Sequence, residues 1–221
     1  MRIRRAYADC RDGQIHYRKV GRPGTPVLCL LHGLDRTGAV FEPLMALMQD
    51  RFTLHAFDLP GSGASDAPRS IDTIGDLADR LIEAIFSLGI ARFHGCGIAA
   101  GAQVALEIAA RQPRHAASLT LIEPFSDTAR HVFASSGAGN DAARCAAALQ
   151  AQDFDTRFGA AECPLQIVCT APGTAHHGCD RAAALRPDAI RATLPAADGD
   201  ALAEPEALAE ALRRFIDTLE S

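Results

Sequence analysis

Two periods of apolar residues alternate along this chain, and they outline its elements. The continuous apolar run VLCLLHG at 27–33 predicts a strand that is buried on both faces of a largely parallel sheet. Further strands are predicted at FTLHAFD (52–58), near 91–96, at ASLTLIE (117–123), at PLQIVCT (164–170) and at AIRATLP (189–195). Strands separated by helical stripes indicate βαβ units, which predicts an α/β fold with a mostly parallel central sheet.

Between these runs, apolar residues recur at helical spacing. The predicted helices lie at about 40–49, 71–88, 100–111 and 205–219. Ser70 is a candidate N-cap for the second helix, and Gly89 is its expected stop. Pro113 ends the third helix, and Pro205 stands in the first turn of the last one.

Two segments differ from the alternating strand–helix pattern. Residues 2–9 and 14–20 predict an antiparallel edge hairpin, joined at Asp12 and Gly13. Residues 125–162 are rich in Ser, Gly and Ala, with one helix predicted near 141–150, and they are expected to form a reduced lid or covering segment. We expect residues 1–221 to form a single domain.

Composition narrows the classes of function. The net charge of −5 gives no basic field for nucleic acid, and no apolar stretch is long enough to cross a membrane or to direct secretion. We therefore expect a cytoplasmic protein that binds neither nucleic acid nor membrane. Seven cysteines without C-x-x-C spacing argue against a disulfide framework and a zinc site, so Cys169 is expected to be free. No metal or cofactor is expected.

The stretch GIAAG at 97–101 joins a predicted strand to a predicted helix and carries the candidate chemistry. A G-x-S-x-G turn bends so sharply that the central side chain stands alone, and small flanking residues permit the bend. Here Gly97 and Gly101 supply the flanks, but the central residue is Ala99. Its methyl group can neither attack a substrate nor donate a proton.

Five segments together resemble the α/β-hydrolase family of esterases, lactonases, C–C hydrolases and dehalogenases. They are LLHG at 30–33, DLPGSGASDAP at 58–68, GIAAGAQVALEIAARQP at 97–113, SLTLIEP at 118–124 and EPEALAEALRRFID at 204–217. The resemblance covers nearly the whole chain in the family's order. It implies an α/β-hydrolase fold, although fold by itself does not supply function.

The resemblance also implies a triad in the order Ser, Asp or Glu, His, and all three positions depart from it. Ala99 stands at the nucleophile position. The segment APGTAHHGCD, where the acid is expected, offers only Asp180 as a carboxylate, beside His176 and His177. The loop before the last helix contains two carboxylates and no histidine. Those carboxylates are Asp198 and Asp200.

An oxyanion hole made of backbone amides survives the loss of these side chains. The resemblance places one amide at Ala100 and its partner at Leu34 or Asp35. The N-terminus of the helix that starts at Ala100 adds a favourable dipole for a ligand oxygen. A carboxylate at Asp35 would repel a developing oxyanion if it turned inward, and otherwise it faces solvent or caps the next turn.

Other residues are candidates to replace the missing chemistry. Glu123 ends a strand where some relatives place their acid, and it either takes part in the site or only bonds loop amides. His176 or His177 with Asp198 or Asp200 would exchange the usual places of acid and base and could activate water. The alternative is that these histidines are solvated in a polar loop.

Three further candidates favour structural roles. Cys96 is expected to be a buried, inert thiol within a strand. His32 is expected to pack or hydrogen-bond beneath the oxyanion loop. His94 is expected to be a satisfied core histidine.

The hypothesis that these residues favour is a non-catalytic or strongly altered α/β-hydrolase-family protein with a small-ligand pocket. One alternative is an enzyme, either a hydrolase that activates water through a His–carboxylate pair or a lyase or isomerase that works by polarisation. A second is an engineered serine-to-alanine change at position 99, which would leave the missing histidine unexplained. A third is a scaffold that forms a homo-oligomer through an edge strand or lid helix.

Overall fold

A computed structural model describes the chain over residues 2–34, 36–70, 72–124, 144, 147–148, 151, 153–170, 176–195 and 200–220, with the side chains of 176 and 177 outside the description. Eight strands form one sheet in the order β1-β2-β4-β3-β5-β6-β7-β8. The strands are β1 (Arg4–Cys10), β2 (Gly13–Val20), β3 (Val27–Leu31), β4 (Thr53–Phe57), β5 (Phe93–Ile98), β6 (Ala116–Ile122), β7 (Leu165–Thr170) and β8 (Ile190–Leu194). Strands β3 to β8 are parallel to one another, and β1 and β2 are antiparallel.

The helices lie on both faces of this sheet. They are α1 (Glu42–Met48), α2 (Ile74–Ser87), α3 (Ala100–Arg111), α4 (Phe154–Ala160), α5 (His176–Leu185) and α6 (Pro205–Glu220), with short 3₁₀ turns at Gly38–Phe41 and Ala201–Ala203. Successive strand residues point to opposite faces, so β3 sends Cys29 and Leu31 to the core under α2 and α3. Its Leu28 and Leu30 enter the core under α1 and α6. In the described part of the chain, no helix is long and apolar enough to cross a bilayer.

The strand register brings the ends of three neighbouring strands together. Leu31 of β3 pairs with Gly97 of β5, and Ile98 of β5 pairs with Ile122 of β6. The residues that follow these strands therefore share the carboxyl edge of the sheet, where ligands bind in open α/β sheets.

Most of the predicted elements are confirmed, while several boundaries move. The N-terminal hairpin forms with Cys10 opposite Gly13. The strand predicted near 91–96 lies at Phe93–Ile98, and only Glu42–Met48 of the first predicted helix is α-helical. The second predicted helix begins at Ile74, because Thr73 and Asp76 form a capping box that satisfies the first amides better than Ser70 would.

Two expectations were wrong, and both concern the segment after β7. Cys169 is joined to Cys179 in a disulfide with a Cα–Cα distance of 6.2 Å, because α5 lies against β7 and brings together two cysteines that sequence spacing does not pair. The histidines expected in a polar loop begin helix α5. Most of the helix predicted at 141–150 lies outside the described residues, and the lid over 125–162 stays a prediction.

Candidate functional site

The turn after β5 has the backbone of a nucleophile elbow. Ala99 has φ 50° and ψ −115°, a conformation that an L-residue rarely adopts, and α3 begins at the next residue. Its N–H donates to the carbonyl of Ile122 at 2.9 Å, which extends the β5–β6 ladder into the bend. Ala99 is partly exposed, so its methyl group stands at the surface of the site.

The flanking glycines are required by close backbone contacts. A Cβ at Gly101 would overlap the carbonyl oxygens of Leu31 and His32, so α3 lies directly on the end of β3. A Cβ at Gly97 would overlap the carbonyl of Gly101. These contacts hold the elbow in place without any help from the side chain at its apex.

Two backbone amides at the ends of β3 and β5 have no acceptor among the described residues. The N–H of Ala100 is the first amide of α3, and it donates to no residue that the structure describes. The N–H of Leu34, in the loop after β3, is likewise without an acceptor among the described residues. Asp35, the alternative partner, lies outside the described residues.

Glu123 stands beside Ala99 on the neighbouring strand. These two are the non-glycine residues with positive φ in the described part of the chain, at 48° for Glu123 and 50° for Ala99. The Glu123 carboxyl is buried, and it accepts a hydrogen bond of 2.6 Å from Thr170 Oγ1 at the end of β7. Burial raises its pKa, Thr170 and Arg36 oppose the rise, and the Asp200 carboxylate adds to it.

An ion pair lies in the loop before α6, where the resemblance led us to expect a histidine. Asp200, before α6, accepts a hydrogen bond of 2.9 Å from Nη2 of Arg36 in the loop after β3. Asp200 also caps the 3₁₀ turn by accepting from the N–H of Leu202 at 3.0 Å. A carboxylate held by a guanidinium is a poor substitute for an imidazole base, because Arg stays charged at all ordinary pH.

Of the remaining candidate residues, one lies at the surface and the others lie outside the described residues. Asp180 lies on α5, exposed, and pairs with Arg191 of β8 at 2.8 Å, which removes it as a triad acid. Asp198 and the side chains of His176 and His177 lie outside the described residues. The proposed His–carboxylate pair therefore stays a prediction.

The three structural expectations agree with the geometry. His32 is fully buried, with Nδ1 2.5 Å from the carbonyl oxygen of Gly33 and Nε2 accepting from the N–H of Leu59 at 2.9 Å. His94 lies in β5 with Nδ1 2.8 Å from Ser118 Oγ, and burial, with a smaller effect of Arg92, lowers its pKa to about 4. Burial raises the pKa of Cys96 to about 12, so its thiol is inert at neutral pH.

A second buried carboxylate, Asp58, follows β4 at the same edge. Its Oδ1 accepts from the N–H of Gly38 at 2.7 Å and from Arg18 at 3.1 Å. Its Oδ2 accepts from the N–H of Ala64 at 3.0 Å and lies 2.9 Å from Nδ1 of His16. Burial acts to raise the pKa of Asp58, but these hydrogen bonds hold it below its usual value.

Sequence reasoning missed Arg36, Thr170 and the Asp58 cluster. Thr170 is the last residue of a predicted strand, and Arg36 follows another strand by five residues, so the carboxyl-edge rule could have identified both. Asp58 could be recognised from the sequence only as part of a motif, because its partners come from β2 and from two separate loops. Within the described ranges, no group of three His, Cys, Asp or Glu side chains is placed to hold a metal ion.

Comparison with known families agrees with this geometry. Residues 26–171 match the family model described as alpha/beta hydrolase fold. A stretch of 107 residues is 36% identical to 2-(acetamidomethylene)succinate hydrolase of Mesorhizobium japonicum and covers 47% of this chain and 38% of that protein. A stretch of 108 residues is 33% identical to the pimeloyl-[acyl-carrier protein] methyl ester esterase of Nitrosomonas europaea and covers 49% of this chain and 40% of the esterase. The chain spans about half or less of the length of the curated relatives it matches.

Solved structures extend the likeness to the whole fold. The structure of E-2-(acetamidomethylene)succinate hydrolase superimposes with a TM-score of 0.84 at 23% identity and covers 98% of this chain and 100% of that one. The enol-lactonase of Burkholderia xenovorans gives a TM-score of 0.81 at 19% identity, over 96% of this chain and 100% of the lactonase. At these identities the likeness concerns the fold alone.

Proposed function

Because this chain belongs to the α/β-hydrolase family, we propose that it is a non-hydrolytic member that binds a small molecule through a carbonyl or carboxylate oxygen. The ligand oxygen sits on the amides of Ala100 and Leu34, above the methyl group of Ala99. No acyl-enzyme forms, because the apex residue has no nucleophilic atom.

The observation that carries this proposal is the strained elbow itself. A non-glycine residue with φ near 50° costs on the order of 1–3 kcal/mol and persists only where its surroundings impose it. Here the apex of the bend carries no nucleophile, and the amide of Ala100 that follows it has no acceptor among the described residues. An oxygen-binding backbone is the function that this geometry retains.

The ion pair of Asp200 with Arg36 supports the absence of hydrolysis. An esterase of this family needs an imidazole to take the proton of the nucleophile, and Asp200 stands in its place, held by Arg36 at 2.9 Å. Glu123 is buried with a raised pKa, so it is better suited to accept or share a hydrogen bond with a ligand than to orient a histidine.

The first experiment is turnover of p-nitrophenyl acetate and p-nitrophenyl butyrate by the native chain. We expect rates equal to those of a heat-denatured blank. Turnover above the blank that an active-site inhibitor abolishes would contradict the proposal. Weak, inhibitor-insensitive release is expected from any protein surface, so the inhibitor comparison decides the outcome.

A second experiment separates a missing nucleophile from a missing base. Ala99→Ser alone should not produce an acyl-enzyme burst, because no imidazole replaces Asp200. The double variant Ala99→Ser/Asp200→His should exceed the single variant by about 10²- to 10⁴-fold, the usual gain from a positioned general base. Ala99→Ser/Asp200→Asn is the matched control, since it removes the ion pair without supplying a base. A burst from Ala99→Ser alone would instead support His176 or His177 as a base.

Ligand binding is tested by titrating ¹⁵N-labelled protein with butyrate. The amide resonances of Ala100 and Leu34 should shift together and saturate. Ala99→Leu, which places a larger side chain over these amides, should abolish the shifts. Ala91→Leu, at an exposed position before β5, should leave them unchanged.

A further inference from the structure

Strand β8 ends the sheet, and one of its two edges is open. It pairs with β7 from Gln166↔Ile190 to Thr170↔Leu194, and no strand lies on its other side in the part of the chain that the structure describes. An open edge carries N–H and C=O groups that can bind another strand. Ile190 and Arg191, in the first half of β8, are exposed.

Two adjoining apolar grooves accompany this edge. One, of about 400 Å³, lies between β8 and α6 and is lined by Ala192, Leu194 and Phe215 among others. The second, of about 320 Å³, lies at the start of β7 and β8 and shares Ile190 and Phe215 with the first. Ile190 at 43% and Leu219 at 37% are two of the four large apolar side chains exposed in the described residues. Apolar surface that adjoins an open strand edge is typical of a protein interface.

The charges along these grooves favour a second copy of the chain as the occupant. The lining residues include three cations and three carboxylates, so this face is neutral while the whole chain carries −5. They are Arg186, Arg191, Arg214, Glu162, Asp188 and Glu210. Two copies repel one another over most of their surfaces but not over this one.

We propose that β8 pairs antiparallel with β8 of a second copy about a two-fold axis, which joins the two sheets into one. With the axis at Ala192, each Arg191 lies opposite Thr193 of the other copy, and Ile190 lies opposite Leu194. This register places no like charges directly across from one another. Ile190 of each copy then enters the groove between β8 and α6 of the other, and a closed dimer leaves no edge at β8 for further growth.

Sedimentation velocity over a micromolar to submillimolar range tests the interface. The native chain should sediment at twice the mass of one chain, and Ile190→Glu should weaken the dimer by about tenfold or more. Tyr7→Glu is the matched control, because it places the same charge on an exposed side chain at the β1 edge. A native chain that is monomeric throughout the range would overturn the proposal. So would a dimer that Tyr7→Glu dissociates and Ile190→Glu does not.

A cross-link tests the register independently of affinity. Cysteine introduced as Ala192→Cys meets its own copy on the axis and should give a covalent dimer under mild oxidation. Tyr7→Cys should give none above the native background. Equal cross-linking of the two variants, with both retaining native circular dichroism, would contradict the two-fold β8 pairing.

Discussion

Two buried carboxylates at the same edge of the sheet have opposite properties. Asp58 is surrounded by donors from β2 and from the loops after β3 and β4, and its pKa is held below the usual value. Among the described residues, Thr170 is the one side chain that donates a hydrogen bond to Glu123, whose pKa is raised by burial and by Asp200. Asp58 is therefore a carboxylate stabilised in its charged form by its hydrogen bonds, whereas burial disfavours the charged form of Glu123 beside Ala99. The comparison shows that burial alone does not set the pKa of a carboxyl group at this edge, because the number of hydrogen-bond donors around it decides the direction of the shift.

The largest effect is expected from removing the Asp58 carboxylate. Asp58→Ala leaves Arg18 and His16 buried without their acceptor, which should lower the free energy of unfolding by about 3–5 kcal/mol. Urea denaturation at neutral pH measures the loss. Asp217→Ala, which breaks an exposed ion pair with Arg51, should leave the midpoint nearly unchanged. Equal losses would mean that Asp58 is no structural centre.

The next effect concerns the contact that supports the elbow. Gly101→Ala places a Cβ against the carbonyls of Leu31 and His32, and the strain should cost about 1–3 kcal/mol. Gly159→Ala, in α4 with open space around its Cβ, should be neutral or stabilising. Thermal and urea unfolding compare the two. If Gly101→Ala is as benign as Gly159→Ala, the close packing of α3 on β3 does not hold the bend.

A smaller effect is expected in how the stability contributed by each of the two carboxylates, Glu123 and Asp58, depends on pH. A raised folded pKa means that native Glu123 binds more protons than the unfolded chain does, so its penalty is absent at low pH and complete above the folded pKa. The stability of Glu123→Gln relative to that of the native chain should therefore increase as pH rises through the folded pKa of Glu123.

Asp58 should behave in the opposite way. Its stabilisation is present above the unfolded pKa and is lost as pH falls through the depressed folded pKa. The stability gap between the native chain and Asp58→Ala should narrow in acid. Urea midpoints of the native chain and both variants, measured across a range of pH, test the two predicted directions. If the midpoints of Glu123→Gln and of the native chain changed in parallel with pH, the two carboxylates would not differ as proposed.

The smallest effect comes from the hydroxyl that bonds Glu123. Thr170→Val removes the donor that opposes the rise in the pKa of Glu123, so it should cost about 0.5–1.5 kcal/mol and the cost should grow with pH. Thr120→Val is the matched control, since its buried hydroxyl donates to Gln166 at 3.0 Å, away from any carboxylate. Its cost should be the same at every pH.

Much of the fold and part of the site could be predicted from the sequence. The sequence predicted every strand from β3 to β8, and the clearest signals came from strands such as β3 and β7, which are rich in apolar residues because they are buried on both faces. The start of α2 was missed because two capping signals compete within four residues, and side-chain bonds decide between Ser70 and Thr73. The disulfide was missed because it depends on α5 lying against β7.

The sequence by itself determined that no hydroxyl or thiol stands at the apex of the elbow, since Ala99 carries only a methyl group. It also determined that the loop before α6 contains Asp200 and no histidine. Only the tertiary structure decided what these residues do. The bond between Thr170 and Glu123 joins residues 47 apart, and the pair of Arg36 with Asp200 joins residues 164 apart. Such partners meet because parallel strands end at one edge, a proximity that depends on strand order and register.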